Sequence, residues 1–174
     1  MFYTVKIDLC PTRYISRIMR KCLAKFLSDP PAFTVITKPI IQPLPIMTRI
    51  QTDGSYSQRK LSRTAVLYRD RKGVDTRQCK TYLNHSDSTE SEWCSVLDGI
   101  TYAVRKDEGF IQLENDNLGV MQCLTRFKDG PRPGRYHRYY VEIQRQLYNF
   151  DYVGVRWIPR EMNAADAIFR GLEQ

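Results

Sequence analysis

The sequence lacks the residues that zinc sites and disulfide scaffolds need. Its 174 residues include two histidines and five cysteines, an odd number, and no two cysteines form a C-x-x-C pair. This scarcity argues against both kinds of framework and indicates a reducing compartment. No run approaches the roughly 18 consecutive apolar residues of a membrane span. Lys6 and Asp8 stand where a secretory signal needs apolar residues, so we expect a cytoplasmic protein.

The composition is that of a globular domain with a basic surface. Hydrophobic residues make up 42% and charged residues 26%, which argues against disorder. Lys and Arg number 27 against 19 Asp and Glu, a net charge of +8. Such a balance favours a polyanionic partner, but it is equally typical of charge that only keeps a protein in solution.

Charge and proline divide the chain near Met47. Residues 1–46 hold seven basic and two acidic residues, and five of the nine prolines fall within 30–45. We therefore expect an N-terminal arm over 1–46 and a compact domain over 47–174. Apolar residues at helical spacing predict an amphipathic helix over 13–27. That helix could pack on the domain, contact nucleic acid through its basic face, or serve as a membrane-surface or organelle-targeting segment.

The compact domain alternates strands and helices. Hydrophobic periodicity predicts strands over 49–56, 64–68, 80–83, 110–114 and 152–158, and helices over 89–106, 117–124, 136–150 and 163–170. Three hairpin-like strands followed by βα units imply a mixed sheet covered by helices. We expect Trp93 and Trp157 to lie in the core.

Four carboxylates occupy informative places in this order. Asp53 lies in the first strand, Asp116 closely follows the fourth, and Glu92 and Asp166 lie in the first turns of two helices. A fold that clusters them would need cations to offset their repulsion, and oxygen ligands favour Mg²⁺ or Mn²⁺ over zinc. Taken singly, each such residue is more often a solvated surface group or a charge at a helix N-terminus than a metal ligand.

Four segments, in order, resemble the motifs of the ribonuclease H family. Residues 52–55 read Thr-Asp-Gly-Ser, residues 91–100 place Glu92 before small and apolar residues, and residues 113–117 read Leu-Glu-Asn-Asp-Asn. Residues 157–167 are similar to the final strand and N-x-x-A-D helix of that family. The resemblance covers residues 47–172.

The resemblance implies a five-stranded mixed α/β sheet flanked by helices, and a monomeric enzyme that hydrolyses the RNA strand of RNA/DNA hybrids. It implies that Asp53, Glu92, Asp116 and Asp166 hold two Mg²⁺ ions, or Mn²⁺, with Glu90 as the rival of Glu92. The alternatives are another nuclease of the same fold, such as a junction resolvase or a reverse-transcriptase-associated domain, and a non-catalytic nucleic-acid-binding module.

One departure from the family concerns the loop before Asp166, where many bacterial members carry a histidine. This chain has 160–163 Arg-Glu-Met-Asn there, as in the histidine-lacking archaeal, plant and retroelement-like branch, and Glu161 is either a partial substitute or a surface residue.

Phosphate contacts are expected from basic residues around the Pro-Gly loop, because such contacts supply most of the affinity for a polyanion. The candidates there are Lys128, Arg132, Arg135 and Arg138; a weaker group is Arg59, Lys60 and Arg63. Near the carboxylates, Gly54, Ser55 and Asn117 are candidate contacts to the hybrid. The tyrosines 136, 139 and 140 either pack on a helix face or stack on bases.

Overall fold

The computed structural model describes residues 47–57, 61–125 and 132–171. The expected arm and its helix over 13–27 lie outside these residues, as do Arg59, Lys60 and Lys128. The described strands are β1 (Thr48–Tyr56), β2 (Leu61–Arg69), β3 (Asp75–Leu83), β4 (Phe110–Asn115) and β5 (Tyr152–Trp157). The described helices are α1 (Ser88–Arg105), α2 (Leu118–Thr125), α3 (His137–Leu147) and α4 (Asp166–Arg170), with 3-10 turns at Gly134–Tyr136 and Arg160–Met162.

The five strands form one mixed sheet in the order β3-β2-β1-β4-β5. The first three strands pair antiparallel as a meander, whereas β4 pairs parallel to both β1 and β5. The expected five-stranded mixed sheet with flanking helices is thereby confirmed. Because β1 and β4 run in the same direction, their carboxyl ends meet at one edge, with Gln51 of β1 opposite Glu114 of β4.

One face of the sheet, here called the helical face, carries the main core. Strand residues that alternate along β1 and β4 point into it; α1 covers them, and α3 packs against α1. Ile50, Ile100, Leu113 and Ile143 are completely buried there, and each such side chain stabilises the fold by about 1.5–3 kcal/mol relative to an exposed one. Trp93 is 2% exposed, as expected of a core residue.

The opposite face carries a smaller apolar cluster and a buried charge. Ala65 and Leu67 of β2 pack against Phe169 of α4. Glu114 is 1% exposed, and its Oε2 accepts hydrogen bonds from Arg49 Nε at 2.5 Å and Gln51 Nε2 at 2.9 Å. These donors compensate the cost of burying that carboxylate.

Three predicted features differ from the structure. The hairpin strands β2 and β3 are longer than expected, because their pairing continues from Leu61–Leu83 to Arg69–Asp75 through polar residues. The last helix begins at Asp166 instead of residue 163, since the Asn163 side chain accepts the Ala165 N–H and holds 163–165 in a turn. The expected burial of Trp157 is wrong: it is 40% exposed.

Candidate active site

Asp53 and Asp116 meet at the carboxyl ends of β1 and β4. Asp53 lies within β1 and is 7% exposed, and Asp116 is the first residue after β4. The parallel pairing of these two strands places the two positions at the same edge of the sheet. Functional side chains of α/β sheets gather at such edges.

Glu92 joins them from the first turn of α1 because that helix approaches β1 very closely. A Cβ atom on Gly54 would lie 2.5 Å from the backbone nitrogen of Glu92, and closer still to the Ser91 carbonyl carbon. Gly99, two turns further along α1, similarly faces Thr52, where a Cβ would lie 2.7 Å from the threonine Cγ2. Two glycines therefore set the spacing between β1 and α1.

The three carboxylates form a tight group. One oxygen from each of Asp53, Glu92 and Asp116 lies within 4.8 Å of the others. Burial raises the pKa of Asp53 to about 7, with further contributions from the charges of Asp116 and Asp166. Burial, then the charge of Asp53, raises the pKa of Glu92 to about 8. Clustered, desolvated hard-oxygen ligands of this kind fit a divalent cation such as Mg²⁺ or Mn²⁺.

Asp166 lies beside this group. Its carboxylate oxygens pair with Arg160 at 3.3 Å and with Arg170 at 3.1 Å. It is close enough to Asp53 for its charge to raise the pKa of that residue. The structure thus brings three of the four expected carboxylates together and places the fourth nearby, held by two arginines.

Glu90, the sequence rival of Glu92, faces a different set of partners. Its carboxylate accepts hydrogen bonds from Ser86 N at 2.7 Å and Tyr139 Oη at 3.1 Å, and it pairs with Arg138. Burial acts to raise its pKa, but these hydrogen bonds outweigh burial and lower the pKa to about 2. Asp87 caps the same helix by accepting the Glu90 N–H at 2.9 Å. Glu90 therefore has a structural role at the start of α1.

Among the described residues expected to contact phosphate, Arg132, Arg135 and Arg138 are exposed and Arg63 is half-buried, and two of them already have acidic partners. Arg135 pairs with Asp87 and Arg138 with Glu90, although their side chains remain 66% and 70% exposed. These pairs tie the start of α3 to the start of α1.

The three small or polar residues expected to contact substrate have different surroundings. Ser55 is exposed at the end of β1, and Gly54 is needed for helix packing. Asn117 accepts the Val120 N–H through its Oδ1 at 3.1 Å, which caps α2. Packing and capping thus account for two of the three.

Two buried asparagines brace the site, and sequence reasoning missed both. Asn115 donates to Glu92 Oε2 at 3.0 Å, Asn163 donates to Asp116 Oδ1 at 3.2 Å, and both also donate to the Thr52 carbonyl oxygen. The available signals were a polar residue ending the apolar strand β4 and the asparagine of the N-x-x-A-D motif, and neither indicated a hydrogen bond to a carboxylate. Trp157, expected in the core, instead donates its indole N–H to the Asp116 carbonyl at 2.8 Å.

The sheet order, the helices and the carboxylate group together define a ribonuclease H-like domain. A family model described as "Reverse transcriptase-like" matches residues 51–168, about two thirds of the chain. The chain belongs to this family, a branch of the ribonuclease H family. No curated protein matches it significantly in sequence. Within the described residues, no helix has the length and apolarity to cross a membrane.

Solved structures share the fold at low sequence identity. RNase H1 from the archaeon Halobacterium salinarum superposes with a TM-score of 0.63 at 20% identity, covering 73% of this chain and 98% of that one. LC11-RNase H1, isolated from compost and solved with an RNA/DNA hybrid, gives 0.59 at 16% identity, covering 72% and 99%. The foamy viral protease-reverse transcriptase, solved with dsDNA, gives 0.58 at 15%, covering 72% and 92%.

Proposed function

We propose that this chain is a divalent-metal-dependent ribonuclease that cleaves the RNA strand of RNA/DNA hybrids. The observation that carries the proposal is the carboxylate group of Asp53, Glu92 and Asp116 at the carboxyl edge of a ribonuclease H-like sheet. A non-catalytic binding module would have no need to concentrate one buried and two half-buried acids whose mutual repulsion destabilises the fold. The hybrid in the LC11-RNase H1 structure supports this choice of substrate.

In this proposal Asp53, Glu92 and Asp116 hold the cations, and Asp166 completes the set. Two divalent ions, when bound, supply activation of water and stabilisation of the charge that develops on the phosphate. The residues of the chain hold the ligand oxygens close together before the substrate arrives. Preorganised charge of this kind contributes to catalysis because little needs to rearrange during the reaction.

Asp166 has a distinct part in this scheme because its carboxylate pairs with Arg160 and Arg170. Both arginine side chains are more than 70% exposed, so their attraction to Asp166 is screened by water and weak. A cation can therefore compete with them for the carboxylate. We propose that Asp166 is the most easily exchanged of the four ligands.

The hybrid would lie across the carboxylate edge toward the start of α3. Arg132, Arg135 and Arg138 are exposed there, and we include the edge residues Gly54, Ser55 and Asn117 in the contact set, together with Lys128, which lies outside the described residues. A guanidinium has five N–H donors, so Arg135 and Arg138 can contact phosphate while keeping their acidic partners. Recognition would depend on groove shape and 2′-hydroxyl groups rather than base identity.

The deciding experiment is a cleavage assay on four labelled substrates: an RNA/DNA hybrid, single-stranded RNA, duplex DNA and a four-way DNA junction. We expect Mg²⁺-dependent cleavage of the hybrid RNA strand alone, abolished by EDTA and by Asp116→Asn. Asp151→Asn is the matched control, since Asp151 is an exposed carboxylate at the other end of the sheet.

Each other outcome contradicts the proposal in a recognisable way. Cleavage of the junction in preference to the hybrid would indicate a resolvase. Tight hybrid binding without cleavage, at any Mg²⁺ or Mn²⁺ concentration, would indicate a binding module. Equal cleavage by the wild type and Asp116→Asn would place the chemistry elsewhere.

A further inference from the structure

Asn115 occupies a buried position between the elements that carry the carboxylates. It is the last residue of β4 and is completely buried. Its Nδ2 lies 3.0 Å from the Thr52 carbonyl oxygen, 3.1 Å from Thr52 Oγ1 and 3.0 Å from Glu92 Oε2. One side chain therefore links β4 to β1 and to the first turn of α1.

The other end of the same amide fixes its orientation. Asn115 Oδ1 accepts the backbone N–H of Asn117 at 2.7 Å. Rotating the amide by 180° would face its NH₂ group toward that N–H and its oxygen toward the Glu92 carboxylate, so both contacts would become repulsive. The same contact closes a tight turn around Asp116. The Asn115 amide thus contacts Thr52 and Glu92 through its nitrogen and Asn117 through its oxygen.

Glu92 requires hydrogen-bond donors because two of its close neighbours repel it; the Gly54 backbone N–H is one donor, and Asn115 supplies the side-chain donor. Its carboxylate faces those of Asp53 and Asp116, and an unanchored side chain at this position would rotate away from them. The Asn115 N–H attracts Glu92 Oε2 and adds no charge. An aspartate would add a fourth negative charge, and an apolar residue would leave the Glu92 oxygen and the Asn117 N–H without this partner.

We propose that Asn115 is a positioning residue, which holds the Glu92 carboxylate in the orientation that binds a divalent cation. This inference rests on the proposed function only in requiring that Asp53, Glu92 and Asp116 bind such cations. Partners that orient metal ligands in this way typically change metal affinity by about 10- to 100-fold when they are removed.

The test is a double-mutant cycle read by Mn²⁺ binding, measured by titration calorimetry without nucleic acid. We expect Asn115→Ala to weaken Mn²⁺ binding by about tenfold. In Glu92→Gln the cation loses this ligand, so adding Asn115→Ala should weaken binding little further. Asn149→Ala is the control, because Asn149 Nδ2 donates only to the carbonyl of Gln146 at the end of α3.

Two results would overturn the inference. The first is that Asn115→Ala binds Mn²⁺ as tightly as the wild type. The second is that the loss of Mn²⁺ affinity in the double variant equals the product of the losses in the two single variants. If Asn115→Ala does not fold, the positioning role is tested instead by NMR on the wild-type protein. The side-chain amide resonances of Asn115 should then shift as Mn²⁺-free protein is titrated with Mg²⁺, while those of Asn149 stay fixed. An Asn115 resonance that does not respond at saturating Mg²⁺ excludes the role.

These readouts separate the inference from the proposed function. If the wild type binds Mn²⁺ and shows the expected coupling but cleaves no hybrid, the positioning role stands and the proposed activity is wrong. If hybrid is cleaved while Asn115→Ala keeps full Mn²⁺ affinity, the activity stands and the positioning role is wrong.

Discussion

Gly54 lies directly against the backbone nitrogen of Glu92, so that a Cβ atom on residue 54 would come within 2.5 Å of it. The neighbouring atoms belong to the backbone of α1 and cannot rotate aside. The spacing between the Asp53 and Glu92 carboxylates therefore depends on residue 54 having no side chain.

Gly54→Ala should push the first turn of α1 away from β1. We expect about 1–3 kcal/mol of destabilisation and at least about a tenfold loss of hybrid cleavage, because Glu92 moves with the helix. Gly119→Ala is the control: a Cβ there would meet Asn117 Oδ1 at 3.4 Å, and alanine favours the helix by about 1 kcal/mol. Thermal unfolding and single-turnover cleavage of both variants check this, and an active, stable Gly54→Ala would refute the packing argument.

Asp53→Asn should abolish cleavage and stabilise the protein without metal. The pKa of Asp53 is raised to about 7, so at pH 8 its ionised carboxylate opposes folding. The amide removes that charge at nearly the same size. We expect a higher Tm than the wild type in EDTA at pH 8, and a smaller rise in Tm on adding Mg²⁺.

Asp75→Asn provides the contrast for that experiment. Asp75 is exposed and pairs with Arg69 at 2.6 Å in the β2–β3 hairpin. The Asp75→Asn variant should cleave hybrid at the wild-type rate and keep the full Mg²⁺-dependent rise in Tm. A variant Asp53→Asn with wild-type cleavage would show that the site has been assigned to the wrong residues.

Glu92→Gln and Glu90→Gln should fail in different ways. We expect Glu92→Gln to lose cleavage by orders of magnitude while folding normally, because it removes a cation ligand. Glu90→Gln removes the charge that pairs with Arg138 and one of the two acceptor oxygens that bind Ser86 and Tyr139, so it should lose about 1–3 kcal/mol of stability. Activity per folded molecule should change little. Urea unfolding and cleavage rates measure both, and the opposite ranking would assign the ligand role to Glu90.

Trp157→Phe should reduce turnover more than substrate affinity. The indole N–H holds the carbonyl of Asp116 at 2.8 Å, and phenylalanine keeps an aromatic ring without that donor. We expect kcat to fall several-fold, with KM and Tm nearly unchanged since the side chain is 40% exposed. An unchanged kcat would mean that the hydrogen bond has no part in positioning Asp116.

A chain that starts at Met47 should fold and cleave hybrid. All the described strands and helices and all four carboxylates lie after this residue. If the basic segment before it contacts phosphate, the truncated protein should bind hybrid more weakly, and the difference should shrink as salt rises. If that segment packs on the domain, Tm or solubility should fall instead. An insoluble or inactive product would contradict a boundary at Met47.

The sequence predicted the order of elements and the mixed sheet because apolar periodicity is strong in β1, β4, β5 and α1. It underestimated β3, whose residues are mostly exposed, because an edge strand has little apolar alternation to detect. It misjudged Trp157 for the opposite reason: a large apolar side chain in a buried strand is usually in the core, but Trp157 is the last residue of β5 and is 40% exposed.

The candidate site was predictable as far as the motifs reach. They selected four candidate carboxylates and favoured Glu92 over Glu90, and the geometry groups Glu92 with Asp53 and Asp116. The bracing by Asn115 and Asn163 was not predictable, because each asparagine contacts residues far away in the chain. Sequence patterns report local periodicity, whereas these hydrogen bonds depend on strand register.

The parallel pairing of β1 with β4 also has a consequence for how the protein is made. Residues 53 and 92 leave the ribosome well before residue 116, but β1 has no neighbour on its β4 side until residues 110–115 have been synthesised. The nascent chain can form the hairpins and α1 and still hold no complete cation site. The group of Asp53, Glu92 and Asp116 is then assembled late, when the contact between these distant segments closes, and Asp166 follows later still. Under the proposed function, a growing chain could therefore not cut nucleic acid before this part of its fold is complete.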